Sequence, residues 1–151
     1  MDDAPILICY DGSAGSRRAI DAAAALLGPR SAVVLDLGPP LTVAESYAAL
    51  SPVLPGEAFE EQNADEASTR AIEGAERAQR AGFRARARGG IGAPTWEGVV
   101  DIADEIGAAV IVMGSRGLTG TREVLEGSVS HQVAEHAGRP VLIVPPANGR
   151  R

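Results

Sequence analysis

The chain has 151 residues, of which 45% are apolar and 23% charged, with a net charge of −6; these values predict one globular domain with an ordinary core. All 14 basic residues are arginine, which excludes enzymes that need a lysine in a phosphate-binding loop, as a Schiff base or as a general base, and the acidic balance argues against nucleic acid binding. No apolar run approaches the roughly 18 residues of a membrane span, and the first residues do not resemble a signal peptide. Cys9 is the single cysteine. We therefore expect a reducing, cytoplasmic setting.

The first third of the chain predicts a strand, a helix and a second strand. The run PILICY, residues 5–10, is apolar without alternation, which is typical of a strand buried on both faces. A turn, DGSAG, leads into a helix whose apolar residues recur at helical spacing as far as Leu27, and Gly28 with Pro29 ends it. The run AVVLDL, residues 32–37, predicts the second strand.

The middle of the chain predicts a loop, a long helix and an edge strand. Residues 38–56 contain four prolines and form either a functional loop or, around residues 43–50, a short helix. Residues 57–82 are rich in alanine and charge without proline, which predicts a surface helix, and residues 83–88 alternate as an edge strand does. The GGIGAP stretch that follows is interpreted as a turn. The one basic patch comprises Arg80, Arg84, Arg86 and Arg88, and we expect it to be a solvated helix end and strand.

The last third continues the alternation. Residues 95–106 predict a helix, residues 108–113 a central strand, residues 129–137 a helix and residues 141–144 a fifth strand that two prolines end. Five strands alternating with four helices predict an α/β fold, an open parallel sheet with helices on both faces. No linker divides the chain, so we expect one domain over residues 1–147 and a short tail at 148–151.

Two strand ends carry the candidate site. The first strand ends at Asp11-Gly12-Ser13 and the fourth at GSRG, residues 114–117; if these strands are neighbours, their loops face one crevice at the carboxyl edge of the sheet. A phosphate needs several N–H donors on backbone without obstructing Cβ atoms, and a helix N-terminus supplies such donors. The stretch GSRGLTGTREVLEGSVSHQV has glycines at 114, 117, 120 and 127. It is either a phosphate cradle, with hydroxyls from Ser128 and Ser130 and charge screened by Arg116, Arg122 or a divalent ion, or a pair of ordinary turns.

The spacing of these glycines resembles a known signature. Gly114, two residues, Gly117, nine residues and then Gly127-Ser128 resemble the ATP-binding signature of the universal stress protein family. The resemblance covers essentially the whole chain, through ICYDGS at the first strand, VMGSRG after the fourth, GSVS, and GRPVLIVP at the end.

The resemblance implies a fold, a ligand and a partner. It implies the sheet order 3-2-1-4-5 of the adenine nucleotide alpha hydrolase-like fold, and a homodimer formed through the last strand, Val141, Leu142, Ile143 and Val144. Asp11 would contact the nucleotide or its metal, Mg²⁺ or Mn²⁺. The resemblance places adenine near Cys9, Tyr10, Leu37 and Met113. It places ribose and phosphates among Gly114, Arg116, Gly117, Gly127, Ser128, Val129 and Ser130.

Several alternatives stay open on the sequence alone. Asp11 could simply cap the turn into the first helix, Met113 could be pure core, and Cys9 could be a small buried hydrophobe. His131 and His136 are five apart, which does not place two metal ligands on one helix face. No residue looks like a poised base or nucleophile, so we expect an ATP-binding stress-response regulator with at most slow hydrolysis. An ATP-consuming enzyme, a cyclic AMP-binding member and a dimeric interaction module that binds no nucleotide are the alternatives.

Overall fold

Strands and helices alternate along the whole described part of the chain. The computed structural model describes residues 4–38, 56–91, 95–115 and 129–147. The elements are β1 (Ile6–Cys9), α1 (Ala14–Leu27), β2 (Ser31–Gly38), α2 (Gly56–Arg80), β3 (Arg84–Ile91), α3 (Thr95–Glu105), β4 (Val110–Gly114), α4 (Val129–His136) and β5 (Val141–Val144).

The strands within these ranges form one parallel sheet with β1 at its centre. Its order is β3-β2-β1-β4-β5, which confirms the predicted order 3-2-1-4-5. Ile8 of β1 pairs with Val34 of β2 on one side and Val112 of β4 on the other. The chain therefore reverses its direction of winding between β1 and β4, and their carboxyl ends lie side by side. This is the position where open α/β sheets bind ligands.

Each face of the sheet packs against its own pair of helices. Alternate residues of β1 point to opposite faces because the side-chain period of a strand is two. Ile6, Ile8 and Tyr10 join a core with α1 and α2, whereas Leu7 and Cys9 join one with α3 and α4. The central strands are apolar on both faces because both are covered, as the absence of alternation in their sequences predicted.

Helix α2 lies unusually close to the sheet at two glycines. A Cβ atom placed on Gly74 would lie 2.7 Å from the ring of Tyr10, and one placed on Gly89 of β3 would lie 2.5 Å from the backbone of Ser68. Neither position has room for a larger residue unless the helix moves away. The two glycines thus fix the height of α2 above β1, β2 and β3.

The boundaries differ from expectation mainly at β3. This strand runs to Ile91, where the sequence indicated an end at Arg88 and a turn over the GGIGAP stretch. The turn prediction was wrong for residues 89–91, because they pair with Asp36, Leu37 and Gly38 of β2. The predicted short helix around residues 43–50 lies outside the described residues.

Candidate functional site

The loop after β1 and the end of β4 meet at the carboxyl edge of the sheet. A Cβ atom placed on Gly114 would lie 3.1 Å from the carbonyl carbon and oxygen of Gly15, in the first turn of α1. A glycine at the end of β4 therefore allows this close approach of α1, and a larger residue would require the backbone of α1 to shift by a few tenths of an ångström. On the other side of Gly114, the backbone N–H of Ser115 donates to the carbonyl oxygen of Val144 at 3.0 Å and so joins the end of β4 to the end of β5. The first turn of α1 and the ends of β4 and β5 thus form one backbone-lined corner.

Asp11 organises the turn that enters this corner. Its Oδ1 accepts a hydrogen bond from the backbone N–H of Ser13 at 2.9 Å, and Gly12 between them has φ +80°, a left-handed conformation that favours glycine. Ser13 then caps α1 by accepting from the N–H of Ser16 at 3.1 Å. The interpretation of Asp11 as a turn-forming residue is confirmed. Asp11 is partly buried at the strand end. Its role in ligand binding stays a prediction.

The sequence predicts that the start of α4 forms the other side of the phosphate site. Val129 is the first residue of this helix and Ser130 is buried in its first turn. The first N–H groups of an α-helix have no partner within the helix and point out of its N-terminus. Four predicted phosphate-side residues, Arg116, Gly117, Gly127 and Ser128, lie outside the described residues.

The predicted adenine contacts divide between the two faces of the sheet. Cys9, Leu37 and Met113 are buried together on the face of α3 and α4. Tyr10 points to the opposite face, where its hydroxyl donates to Oε1 of Glu73 at 2.7 Å. Only the main chain of Tyr10 is placed to meet a ligand that lies against the other three residues. Met113, at 1% exposure, is also part of the core, as the alternative interpretation proposed.

The thiol of Cys9 has low reactivity in the folded protein. Burial, with the nearby carboxylates of Asp11 and Asp36 adding to the effect, raises the pKa of its thiol to about 12. A thiol with this pKa carries almost no thiolate at neutral pH, and the thiolate is the reactive form. The side chain therefore behaves as a small apolar group beside the strand end.

A buried ion pair that the sequence analysis did not identify lies next to the Asp11 turn. Asp36, in β2, is only 1% exposed and pairs with the guanidinium of Arg70 from α2. The aliphatic part of Arg70 lies against Gly12. Burial raises the pKa of Asp36 above its ordinary value, the hydrogen bond and charge of Arg70 oppose this rise, and the carboxylate of Asp11 adds to it. The one sequence signal was the single acidic residue inside the apolar run AVVLDL.

The remaining candidate ligands do not gather into a metal site. Within the described ranges, no group of three or more histidine, cysteine or acidic side chains is arranged to hold a metal ion. His131 lies 3.5 Å from Glu135 one helical turn away, and the ring of His136 stacks on Trp96 with centroids 4.5 Å apart. Among the same residues, no helix is long and apolar enough to cross a membrane.

Comparisons with known proteins agree with this architecture. A sequence profile described as the universal stress protein family matches residues 4–145. Universal stress protein YxiE of Bacillus subtilis is 33% identical over 144 residues, which cover 92% of this chain and 97% of that protein. Hypothetical protein MJ0577 of Methanocaldococcus jannaschii has a solved structure with a TM-score of 0.76 at 24% identity, covering 98% of this chain and 99% of that one. A universal stress protein solved in complex with cAMP has a TM-score of 0.62 at 26% identity, with coverage of 95% and 98%.

Proposed function

Because the chain belongs to the universal stress protein family, we propose that it binds an adenine nucleotide at the carboxyl edge of β1 and β4. The ligand in this proposal is ATP with Mg²⁺ or Mn²⁺, and the bound nucleotide controls the protein's stability or its choice of partner in a stress response. The observation that carries the proposal is the corner where the Asp11 turn, the first turn of α1 and Gly114 come into backbone contact.

Backbone amides are the proposed phosphate ligands. The chain has no lysine, so the charge of a triphosphate has to be met by N–H groups, hydroxyls, arginine or a metal ion. Val129 and Ser130 begin α4, the helix that follows β4 in the chain, and the GSVS spacing puts Gly127 and Ser128 just before them. Each hydrogen bond to a charged group contributes about 1.5–3 kcal/mol. Three or four of them offset the loss of phosphate hydration without any ammonium group.

The base is proposed to lie against the ends of β1, β2 and β4. Cys9, Leu37 and Met113 belong to one apolar cluster on one face of the sheet, and apolar side chains of this kind suit the flat, largely apolar faces of adenine. Leu37 is the most exposed of the three, at 8%, and stands at the rim. Tyr10 contributes its main chain to this proposal.

Asp11 is the proposed metal contact. Mg²⁺ in nucleotide sites is commonly bound by one or two carboxylates together with phosphate oxygens and water, so the lack of a three-ligand cluster in the described residues is compatible with it. The carboxylate of Asp11 would hold the ion, which would neutralise part of the phosphate charge. The neighbouring Asp36 is engaged by Arg70 and is not proposed as a ligand.

A regulatory role is proposed in preference to catalysis. The corner supplies donors and one carboxylate, but the described residues near it include no histidine or free base poised against a nucleophile. We therefore propose at most slow ATP hydrolysis and no catalytic residue. Turnover well above that of an Asp11→Ala variant would support the enzyme alternative.

Cyclic AMP is the second candidate ligand. A relative solved with cAMP shares 26% identity and nearly the full length of the chain. Cyclic AMP carries one phosphate charge, so it needs fewer amides and no metal. Its binding would be independent of Mg²⁺, whereas ATP binding would weaken when Mg²⁺ is removed.

Direct measurement of bound and added nucleotide tests the proposal. Mass spectrometry of the ligand released from freshly purified protein is expected to find an adenine nucleotide, and calorimetric titration with ATP, AMP and cAMP, with and without Mg²⁺, ranks them. Gly127→Val is expected to weaken ATP binding about tenfold or more, the equivalent of one charged hydrogen bond. Ala134→Val, on the exposed side of α4, is the control and should bind normally. Equal binding by both variants, or no binding by the unmodified protein, would refute the site.

A homodimer through β5 and a cytoplasmic location complete the proposal. β5 is an edge strand of the sheet, and its Ile143 is 38% exposed although it is apolar. An exposed apolar edge strand offers both hydrogen-bonding groups and apolar surface to a second copy. Sedimentation is expected to give a dimer that Ile143→Glu converts to monomer without unfolding it.

A further inference from the structure

Helix α2 holds Tyr10, the residue that precedes Asp11. A Cβ atom placed on Gly74 would lie 2.7 Å from the ring of Tyr10, and the Tyr10 hydroxyl donates to Oε1 of Glu73 at 2.7 Å. The backbone N–H of Tyr10 donates to the carbonyl oxygen of Leu35 in β2 at 2.9 Å. The chain is therefore held in place up to the residue before Asp11.

The residue that follows Asp11, Gly12, meets the same helix through Arg70. A Cβ atom placed on Gly12 would lie 3.7 Å from Cδ of Arg70, an ordinary van der Waals distance, so the aliphatic stem of Arg70 lies beside the turn. Gly12 has φ +80° and no side chain, so its own backbone does little to restrain the turn. Arg70 and Glu73 are three residues apart and therefore share one face of α2. One turn of α2 thus lies against the chain on both sides of Asp11.

A buried carboxylate sets the position of the Arg70 stem. Nε of Arg70 donates to Oδ2 of Asp36, whose side chain is 1% exposed. Because Nε is bonded directly to Cδ, a guanidinium that is held through Nε leaves the stem few rotamers. The carboxylate of Glu66, one turn earlier on α2, is 4.0 Å from Nη1 and mostly exposed. Asp36 therefore fixes the part of Arg70 that lies beside Gly12.

Stability alone does not account for this ion pair. Replacing a buried pair by apolar side chains of similar volume is often neutral or stabilising, because burial costs each ion its hydration. The pair Asp36–Arg70 joins the carboxyl end of β2 to α2, beside the turn that follows β1. The pair Arg77–Asp21 joins α2 to α1 two turns further along and is much more exposed. The location of the buried pair points to a role in the geometry of the turn.

We propose that Arg70 is a positioning residue of the nucleotide site. Its stem, held by Asp36, fixes the backbone of Gly12 and so directs the carboxylate of Asp11 toward the ligand. The hydrogen bond from the backbone N–H of Ser13 to Oδ1 of Asp11, 2.9 Å long, reports this geometry. When the turn loses its support it opens more often, and the Ser13 amide then exchanges faster with solvent. The effect on ligand binding rests on the proposed function, whereas the amide exchange requires no ligand.

Two double variants isolate the stem of Arg70. Asp36→Leu/Arg70→Ala removes both charges and the stem, whereas Asp36→Leu/Arg70→Met removes both charges but restores an unbranched side chain beside Gly12. Neither variant changes the net charge or leaves a buried ion unpaired. By NMR, the Ser13 amide is expected to exchange about fivefold faster in the alanine variant, which is about the loss of one hydrogen bond. The methionine variant should return it to within about twofold of the unmodified protein.

The amide of Ile8 is the internal reference for this exchange. Ile8 lies in the central strand and pairs with β2 and β4, so its amide exchanges through global unfolding. The expected result is faster exchange of Ser13 relative to Ile8. Equal acceleration of both amides would assign the effect to general destabilisation and would overturn the inference. Asp36→Leu/Arg70→Val, which also ends before Cδ but fills more space, makes the same test if the alanine variant does not fold.

Calorimetric titration with ATP and Mg²⁺ then connects the turn to the ligand. The alanine variant is expected to bind about fivefold more weakly, the methionine substitution should restore the affinity, and Arg77→Gln, which breaks the exposed pair on the same helix, should bind normally. Equal Ser13 exchange in the two double variants, or unchanged ATP affinity in the alanine variant, would overturn the inference. If the unmodified protein binds no nucleotide, the proposed function fails, and the exchange rates still decide whether Arg70 positions the Asp11 turn.

Discussion

We predict that replacing Arg70 by glutamine destabilises the protein far more than replacing its partner Asp36 by asparagine. The two partners differ in their access to water, because the side chain of Asp36 is 1% exposed and that of Arg70 is 33% exposed. Arg70→Gln leaves a carboxylate buried without its cation, whereas Asp36→Asn leaves a guanidinium that can hydrate. Removing one partner of a buried pair costs about 3–5 kcal/mol. Since water reaches the Arg70 side, we expect about 2 kcal/mol for Arg70→Gln and under about 1 kcal/mol for Asp36→Asn.

The pH dependence follows from the raised pKa of Asp36. Because burial raises this pKa above the ordinary value of 3.8, the folded protein takes up the proton before the unfolded chain does as the pH falls. The cost of burying the carboxylate is therefore fully present above the folded-state pKa and is relieved as the pH falls toward the ordinary value. Arg70→Gln removes the hydrogen bond and charge that oppose the rise, so its loss of stability should be larger at pH 7.5 than at pH 5.

Urea unfolding followed by circular dichroism measures the difference. At a slope of about 2 kcal/mol/M, a loss of about 2 kcal/mol moves the midpoint by about 1 M. Arg77→Gln is the matched control, because Arg77 lies two turns further along α2 and pairs with the exposed Asp21 at 2.8 Å. We expect it to change stability by under about 1 kcal/mol at either pH. The reasoning is refuted if Asp36→Asn is as damaging as Arg70→Gln, or if the Arg70→Gln loss does not change with pH.

Three further predictions concern the packing of the fold. Arg139 donates to the carbonyl oxygens of Ala103 and Ala108 at 2.8 and 2.7 Å, so Arg139→Met should cost about 3 kcal/mol in thermal unfolding by removing both charged hydrogen bonds, although the carbonyl of Ala103 keeps the N–H of Ala108 as a donor. A stability within about 0.5 kcal/mol of the unmodified protein would contradict this. Gly74→Ala should cost about 1–3 kcal/mol because its Cβ meets the ring of Tyr10, despite the higher helix propensity of alanine, and a gain in stability would show that the helix can move outward. Cys9, with its pKa of about 12, should resist a thiol reagent at pH 8 until urea unfolds the chain, and rapid labelling of the folded protein would disprove its burial.

The sheet and its order were predictable because local and long-range signals agree. Apolar runs without alternation identified the central strands, and the resemblance to the universal stress protein family implied the order that puts β1 beside β4. The glycines Gly89 and Gly90 were misleading, because glycine is a turn former in isolation. Pairing with β2 and the close approach of Ser68 override that preference, and neither is visible in the local sequence.

The described residues of the candidate site lie at the strand ends where the sequence placed them, but the directions of their side chains were not predicted. The resemblance grouped Tyr10 with Cys9, although the two-residue period of a strand sends them to opposite faces. The pair Asp36–Arg70 depends on how α2 is rotated over β2. Helix α2 meets the sheet through contacts such as that of Gly74 with Tyr10, between residues far apart in the sequence, so no local pattern could reveal the pair.

The two borders of the sheet have unlike surfaces, and this asymmetry limits how copies of the chain can associate. Along β5 the surface includes the apolar Ile143, whereas along β3 it includes the guanidinium groups of Arg84 and Arg86. A fibre built by sheet extension requires each copy to bind a neighbour along both edge strands. A two-fold dimer requires only one edge strand, because the same surface of each copy forms the interface. Two copies joined along β5 would leave only like-charged borders facing outward, and such borders repel. If the proposed pair forms, growth by sheet extension would stop there, and this alanine- and valine-rich chain would be protected from polymerising.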